Sequence, residues 1–232
     1  MKKLALLLTC LLFFNSCKKN LSPIDEFIDP RDGHKYEIVQ IGNQTWMAEN
    51  LAYLPSVNRL RYYSNDYPMY YVYGYDGTSL DEAVVTDFYS THGVLYNWPA
   101  AKKACPDGWY LPSDDDWKML EMNLGMSAAD VDSTDWRESG LVGDKLKSSS
   151  GWFEDNNGAN SSLFNAMPSG FRLGYTFDCY FTKVEKNAIY WSGLEYSHGS
   201  AWCRLLSYDN EGINRKYLLK PYGLSVRCIK DN

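Results

Sequence analysis

An apolar run of eleven residues, 4–14 (LALLLTCLLFF), follows Met1-Lys2-Lys3 and ends in Asn15-Ser16-Cys17. A helix needs about twenty apolar residues to cross a bilayer, so this run is too short to span one. It matches the hydrophobic region of a secretory signal. A small residue directly before a cysteine reads as a bacterial lipoprotein cleavage site, where the thiol is acylated before the peptidase cuts. Residues 1–16 are therefore assigned to a signal peptide, Cys17 to lipidation, residues 17–28 to a tether and residues 29–232 to one folded domain. The expected location is the bacterial cell envelope, anchored by lipid to the outer membrane and facing outward, so the membrane is the first expected partner. All core-forming burial must then come from the chain after the tether, in a compartment where disulfides persist.

Removing the signal takes away Lys2 and Lys3, leaving 21 of the 23 basic side chains against 29 acids, a net charge of −8. Phosphate backbones demand basic patches, so nucleic acid is not an expected partner. Cys105, Cys179, Cys203 and Cys228 follow Cys17, and an even number in an exported chain points to disulfides in one of three pairings. No Cys-x-x-Cys occurs and His34, His92 and His198 are scattered, so neither a metal nor another cofactor is expected. The aromatic share is high, with 19 Tyr and 8 Trp. Such rings serve loop-rich cores and sticky surfaces equally well.

Residues 35–41 are rich in β-formers, Gly42-Asn43 is a turn signal and residues 44–47 return as a second strand, which predicts a hairpin. Residues 62–75 hold seven tyrosines, broken by Pro68 and Gly74. This stretch reads as an aromatic loop packed on its own domain rather than a helix or central strand. Asn97 is positioned to cap a short helix through Ala104, with Pro99 in the first turn. Ser113 begins the clearest helix: Asp114 to Asp116 face the positive end of its dipole, Trp117, Leu120 and Leu124 form its apolar face, and Gly125 stops it. Contiguous acids here suit a helix start better than a calcium loop, whose ligands alternate around a glycine. Ser127 repeats the capping pattern and predicts another short helix. Beyond residue 148 turn signals separate strand-like runs at 175–181, 188–191, 201–208 and 224–229. Strands, then helices, then strands give an α+β class with an antiparallel sheet.

No Gly-x-Ser-x-Gly, phosphate-cradling loop or His-Glu-x-x-His occurs, so no catalytic residue is nominated. Asp155, Glu185 and Glu195 are acids that only their separation in space could qualify as a glycosidase pair.

The blocks Ile41-Gly-Asn-Gln-Thr-Trp-Met-Ala-Glu-Asn-Leu51, Gly93-Val-Leu-Tyr-Asn-Trp98, Ala104-Cys-Pro-Asp-Gly-Trp-Tyr-Leu-Pro-Ser113, Phe164-Asn-Ala-Met-Pro-Ser-Gly-Phe-Arg172 and Gly223-Leu-Ser-Val-Arg-Cys-Ile229 are among those that resemble the Fibrobacter succinogenes major paralogous domain family. They run in family order from about residue 29 to the end, and the Tyr-rich insert over residues 62–89 departs most from the pattern. The resemblance extends to the formylglycine-generating enzymes and implies a C-type-lectin-like fold: short antiparallel strands, two main helices and long loops. It also implies the pairings Cys105–Cys228 and Cys179–Cys203. The late cysteine motif of formylglycine generation and the calcium-site triplets of C-type lectins are both absent. By this likeness ligand binding falls among the late loops, with Trp191, Glu195, Trp202 and Asn210 as candidates. The expected function is a lipid-anchored envelope binding or adhesion domain, its ligand a glycan or an envelope protein. The alternatives are a structural envelope or filament component and, after it, an enzyme of formylglycine-generating type.

Overall fold

The computed structural model describes residues 25–174 and 179–231. Cys17 and the expected signal peptide lie outside the described residues, as do positions 175–178 of the strand expected over 175–181. The chain opens with β1 (Asp25–Ile28), β2 (Lys35–Ile41) and β3 (Gln44–Met47). A central region carries β4 (Tyr70–Tyr71), α1 (Leu80–Ala83), α2 (Asp87–His92), β5 (Leu95–Tyr96), α3 (Trp98–Ala104), β6 (Trp109–Tyr110) and α4 (Asp114–Asn123). Then come β7 (Asp135–Arg137), α5 (Val142–Leu146), β8 (Ser169–Leu173), β9 (Tyr180–Val184), β10 (Asn187–Ser197), β11 (Ser200–Ser207), β12 (Ile213–Leu219) and β13 (Ile229–Lys230). The class is mixed α+β, mostly short antiparallel strands with a few short helices.

One sheet has the order β1-β2-β3-β13-β6 and a larger one β7-β12-β11-β10-β8-β9. Strand alternation explains why two cores form. Ile189 and Trp191 of β10, with Ala201 and Cys203 of β11, enter a core shared with α3 and with Tyr36 and Met47. Their neighbours Ala188, Tyr190 and Leu206 enter another, shared with α4, Val39 and Trp46. The central strands are thus covered on both faces.

The β2–β3 hairpin forms with Gly42 at the turn at φ +62°, a conformation glycine adopts without strain. Residues 25–28, expected in the tether, pair with β2, so the folded domain starts earlier than residue 29. Asn97 caps α3 by accepting from Ala100 N at 3.1 Å. Its amide also donates to the carbonyls of Ser64 and Tyr67, which fixes the Tyr-rich insert to the helix start. Ser113 and Asp116 complete a capping box on α4. Ser127 caps only a turn, with its side chain on Asp130, and the helix expected there does not form: the next backbone bond, Ser133 N to Asp130 O, closes another turn.

The tyrosines of the insert divide between burial and exposure. Tyr71 is fully buried, donates to Tyr62 O at 2.7 Å and packs under the Arg172 guanidinium. Arg172, itself buried, donates to the carbonyls of Leu60 and Tyr62. Tyr73 meets Phe88 and Phe181. Tyr62, Tyr63 and Tyr67 remain exposed.

Cys105 and Cys228 are joined across 123 positions, tying the end of α3 to the last strand. The second expected bridge, Cys179–Cys203, is not formed. Cys203 points into the core around Trp191, where burial pushes its thiol up to about 12. Cys179 lies over Gly174 at the β8–β9 hairpin.

The densest polar feature of the interior is an ion network between α4 and the larger sheet. Glu121 accepts from Arg204 at 2.6 Å and from Arg137 at 2.6 and 2.9 Å. Asp114 accepts from Arg204 and Arg215, each at 2.8 Å. Burial alone would raise the Asp114 pKa. The hydrogen bonds and charge of Arg215 and Arg204 overcome that and hold the carboxyl well below the usual range.

Candidate functional site

Strand β10 is buried over its first half and exposed over its last five residues, so its end projects from the core as a ribbon with β11 and β12. The pairing slips between Trp191↔Cys203 and Glu195↔Ala201, placing extra residues on β10 at a bulge. Gly193 N donates there to Pro112 O at 2.8 Å, and Leu194 N to Ser192 Oγ at 3.2 Å, so the bulge is held from both sides. Bulges of this kind re-aim side chains near functional sites.

Beyond the bulge the ribbon builds an aromatic platform. Tyr196 of β10 and Tyr217 of β12 stack with centroids 3.8 Å apart at 4°. Trp202 of β11 stands edge-on to both, 5.2 Å from Tyr196 and 6.0 Å from Tyr217. Arg215 lies over Trp202 at 4.0 Å and is itself held by Asp114, so the buried network braces the exposed rings. Tyr196, Tyr217 and Leu194 are 48%, 47% and 45% exposed, so about half of each residue's surface faces solvent although the two tyrosines cover one ring face of each other. A groove of about 280 Å³ adjoins them, lined by Leu111, Ser113, Asp115, Gly193 and Leu194.

The four sequence candidates do not converge. Trp191 is fully buried, its indole N–H donating to Tyr96 O at 2.8 Å, and serves as a core residue. Trp202 belongs to the platform. Glu195 lies beside it in the ribbon, but Lys220 occupies its carboxylate at 2.5 Å and the hydrogen bond from that lysine lowers its pKa. Asn210 sits in the turn after β11, accepting from Gly212 N at 2.7 Å, at the opposite end of the β11–β12 hairpin. Of the three acids weighed as a glycosidase set, Glu195 is on this distal ribbon. Asp155 and Glu185 lie where Phe153 N bonds Glu185 O, on the other side of the sheet order. Among the described residues no group of three or more His, Cys, Asp and Glu is arranged to hold a metal.

Sequence reasoning missed Tyr196, Tyr217, Leu194 and Arg215. Alternation carried the signal: Leu194 and Tyr196, then Arg215 and Tyr217, are spaced two apart on strands whose ends outrun their covering helix. No curated protein and no solved structure matches the chain. The family model of the Fibrobacter succinogenes major domain matches residues 39–230, from the middle of β2 into β13, and the chain belongs to that family.

Proposed function

We propose that the chain is a lipid-anchored protein of the bacterial envelope whose domain, of C-type-lectin-like fold, binds glycan on the Tyr196–Trp202–Tyr217 platform. The observation that carries this reading is the platform itself: half-exposed tyrosine rings stacked on one another and set against Trp202, which Arg215 covers, beside a groove lined by the Asp115 carboxylate. Fixed rings offer apolar faces to the C–H face of a sugar at little entropic cost, and neighbouring polar groups take its hydroxyls. The signal-like start of the sequence supports an exported, envelope-bound setting.

A glycan array probed with the soluble domain is expected to show retention of one glycan class. The Tyr196→Ala/Tyr217→Ala variant should weaken it by about tenfold, the effect of losing a contact near 1.4 kcal/mol. Binding only to an envelope protein, undiminished by this variant, would refute the glycan assignment. Anchoring is tested separately. Cys17→Ala should abolish palmitate labelling and release the protein from the membrane fraction, and retention of both would exclude Cys17 as the lipidated residue.

A further inference from the structure

Charge around the Tyr196–Trp202–Tyr217 platform is divided unevenly between its depth and its surface. Arg215, which covers Trp202, keeps only 10% of its side chain exposed. Its Nε and Nη2 donate to Asp114 at 3.1 and 2.8 Å, and its Nη1 donates to the Asp132 carbonyl at 3.0 Å. Lys118 is 20% exposed and lies 2.7 Å from Asp132, 3.3 Å from Asp114 and 3.4 Å from Asp115. Arg204 is fully buried between Asp114 and Glu121. Each of these cations is turned onto acids of the protein itself.

Two carboxylates are arranged the other way. Asp115, on the groove wall with Leu194, is 91% exposed. Asp132, whose carbonyl helps to hold Arg215 over Trp202, is 77% exposed. Among the described residues each makes its ion pair with Lys118, whose one charge is shared among three carboxylates. Water screens such pairs, so they neutralise little. The Ser113 hydroxyl in the same groove is spent, donating to Asp116 at 2.6 Å and accepting from Asp116 N at 3.1 Å. What approaches the platform from solvent therefore meets carboxylate oxygens and no cation free to pair.

An ionised carboxylate only accepts hydrogen bonds. A sugar hydroxyl donates to it, and such a charge-assisted bond is about twice as strong as a neutral one. A ligand carboxylate or sulfate has no hydrogen to give and meets like charge, which is how charged surfaces turn away wrong partners.

We infer that the platform selects uncharged glycans and rejects acidic ones, with Asp115 and Asp132 as the residues that discriminate. The inference rests on the glycan reading of the platform and adds the charge class of its ligand. An exposed carboxylate about 6 Å from an anion in water disfavours it about threefold, so the pair amounts to about tenfold for each ligand charge.

The probes are short oligomers of glucose, galactose and mannose, each arrayed beside the matching uronate and exposed to the chain at low and high salt. At least one neutral oligomer is expected to bind about tenfold more tightly than its uronate. High salt should narrow that gap by screening. Asp115→Asn/Asp132→Asn, at two exposed positions, should close it. A uronate bound as tightly as its neutral partner, with binding weakened in Tyr196→Ala/Tyr217→Ala, would overturn the charge assignment and leave the platform standing. A gap that survives Asp115→Asn/Asp132→Asn unchanged would overturn it as well. Binding indifferent to Tyr196→Ala/Tyr217→Ala, or no binding to any oligomer, would sink the platform reading and this inference with it.

Discussion

Replacing Glu121 by leucine is expected to cost about 3–5 kcal/mol, the usual result of removing one partner from a buried ion pair. Glu121 and Arg204 are both 0% exposed, and Glu121 is shared by Arg204 and Arg137, so the variant leaves Arg137 buried without a carboxylate and Arg204 with Asp114 alone. For a chain of this size that loss corresponds to a melting temperature lower by about 6–20 °C. Urea unfolding with an unchanged m-value checks it. A loss under about 1 kcal/mol would mean the arginines find water or other acceptors.

Acid should attack the same network through Asp114. Its folded pKa is depressed below the unfolded value of about 3.9, so its contribution is fully present above that value and fades as pH falls below it toward the folded pKa. The stability gap between the native chain and Asp114→Asn should therefore narrow as pH falls from 5 toward 2, on the order of the range over which carboxylates titrate.

Removing the disulfide with Cys105→Ala/Cys228→Ala is the second large effect, expected at about 4–5 kcal/mol for a closed loop above one hundred residues. The bridge joins positions 123 apart, and Cys228 is fully buried beside Ile229, so alanine avoids burying a hydroxyl. Thermal melts of this variant and of the reduced native chain should coincide. A variant that melts with the oxidised native protein would mean that the bridge adds nothing beyond the packing of β13 between β3 and β6.

Features encoded within a few residues are legible in the sequence. The β2–β3 hairpin follows from Gly42-Asn43 between β-forming runs, and α4 follows from Ser113 with an acid three residues on. What those residues touch later in the chain is not legible. Asp114 reads as a helix-dipole partner because its neighbours are Asp115 and Asp116. Its real partners, Arg204 and Arg215, lie 90 and 101 positions away. Strand β12 escapes sequence reading for a related reason: INRKYLL places arginine where an apolar residue would mark the inward face, and Arg215 goes inward because Asp114 awaits it. The candidate site is half legible. Trp202 stands out as a candidate, but its platform needs Tyr196 and Tyr217 from two flanking strands, whose register no local pattern reveals. Family likeness points to the outer bridge, which forms, and to an inner one, which does not, because the fate of Cys203 is decided by which face of β11 meets the core.

The early start of β1 sets a working distance. Asp25 already pairs with Ile38, only eight residues after Cys17. At about 3.3–3.6 Å per extended residue, a leash of that length reaches at most ~29 Å. A domain lipidated at Cys17 would patrol a thin shell over its own membrane. Whatever it grips would have to be planted in that shell or delivered to it, and modest affinities suffice there because confinement raises the effective concentration of both parties.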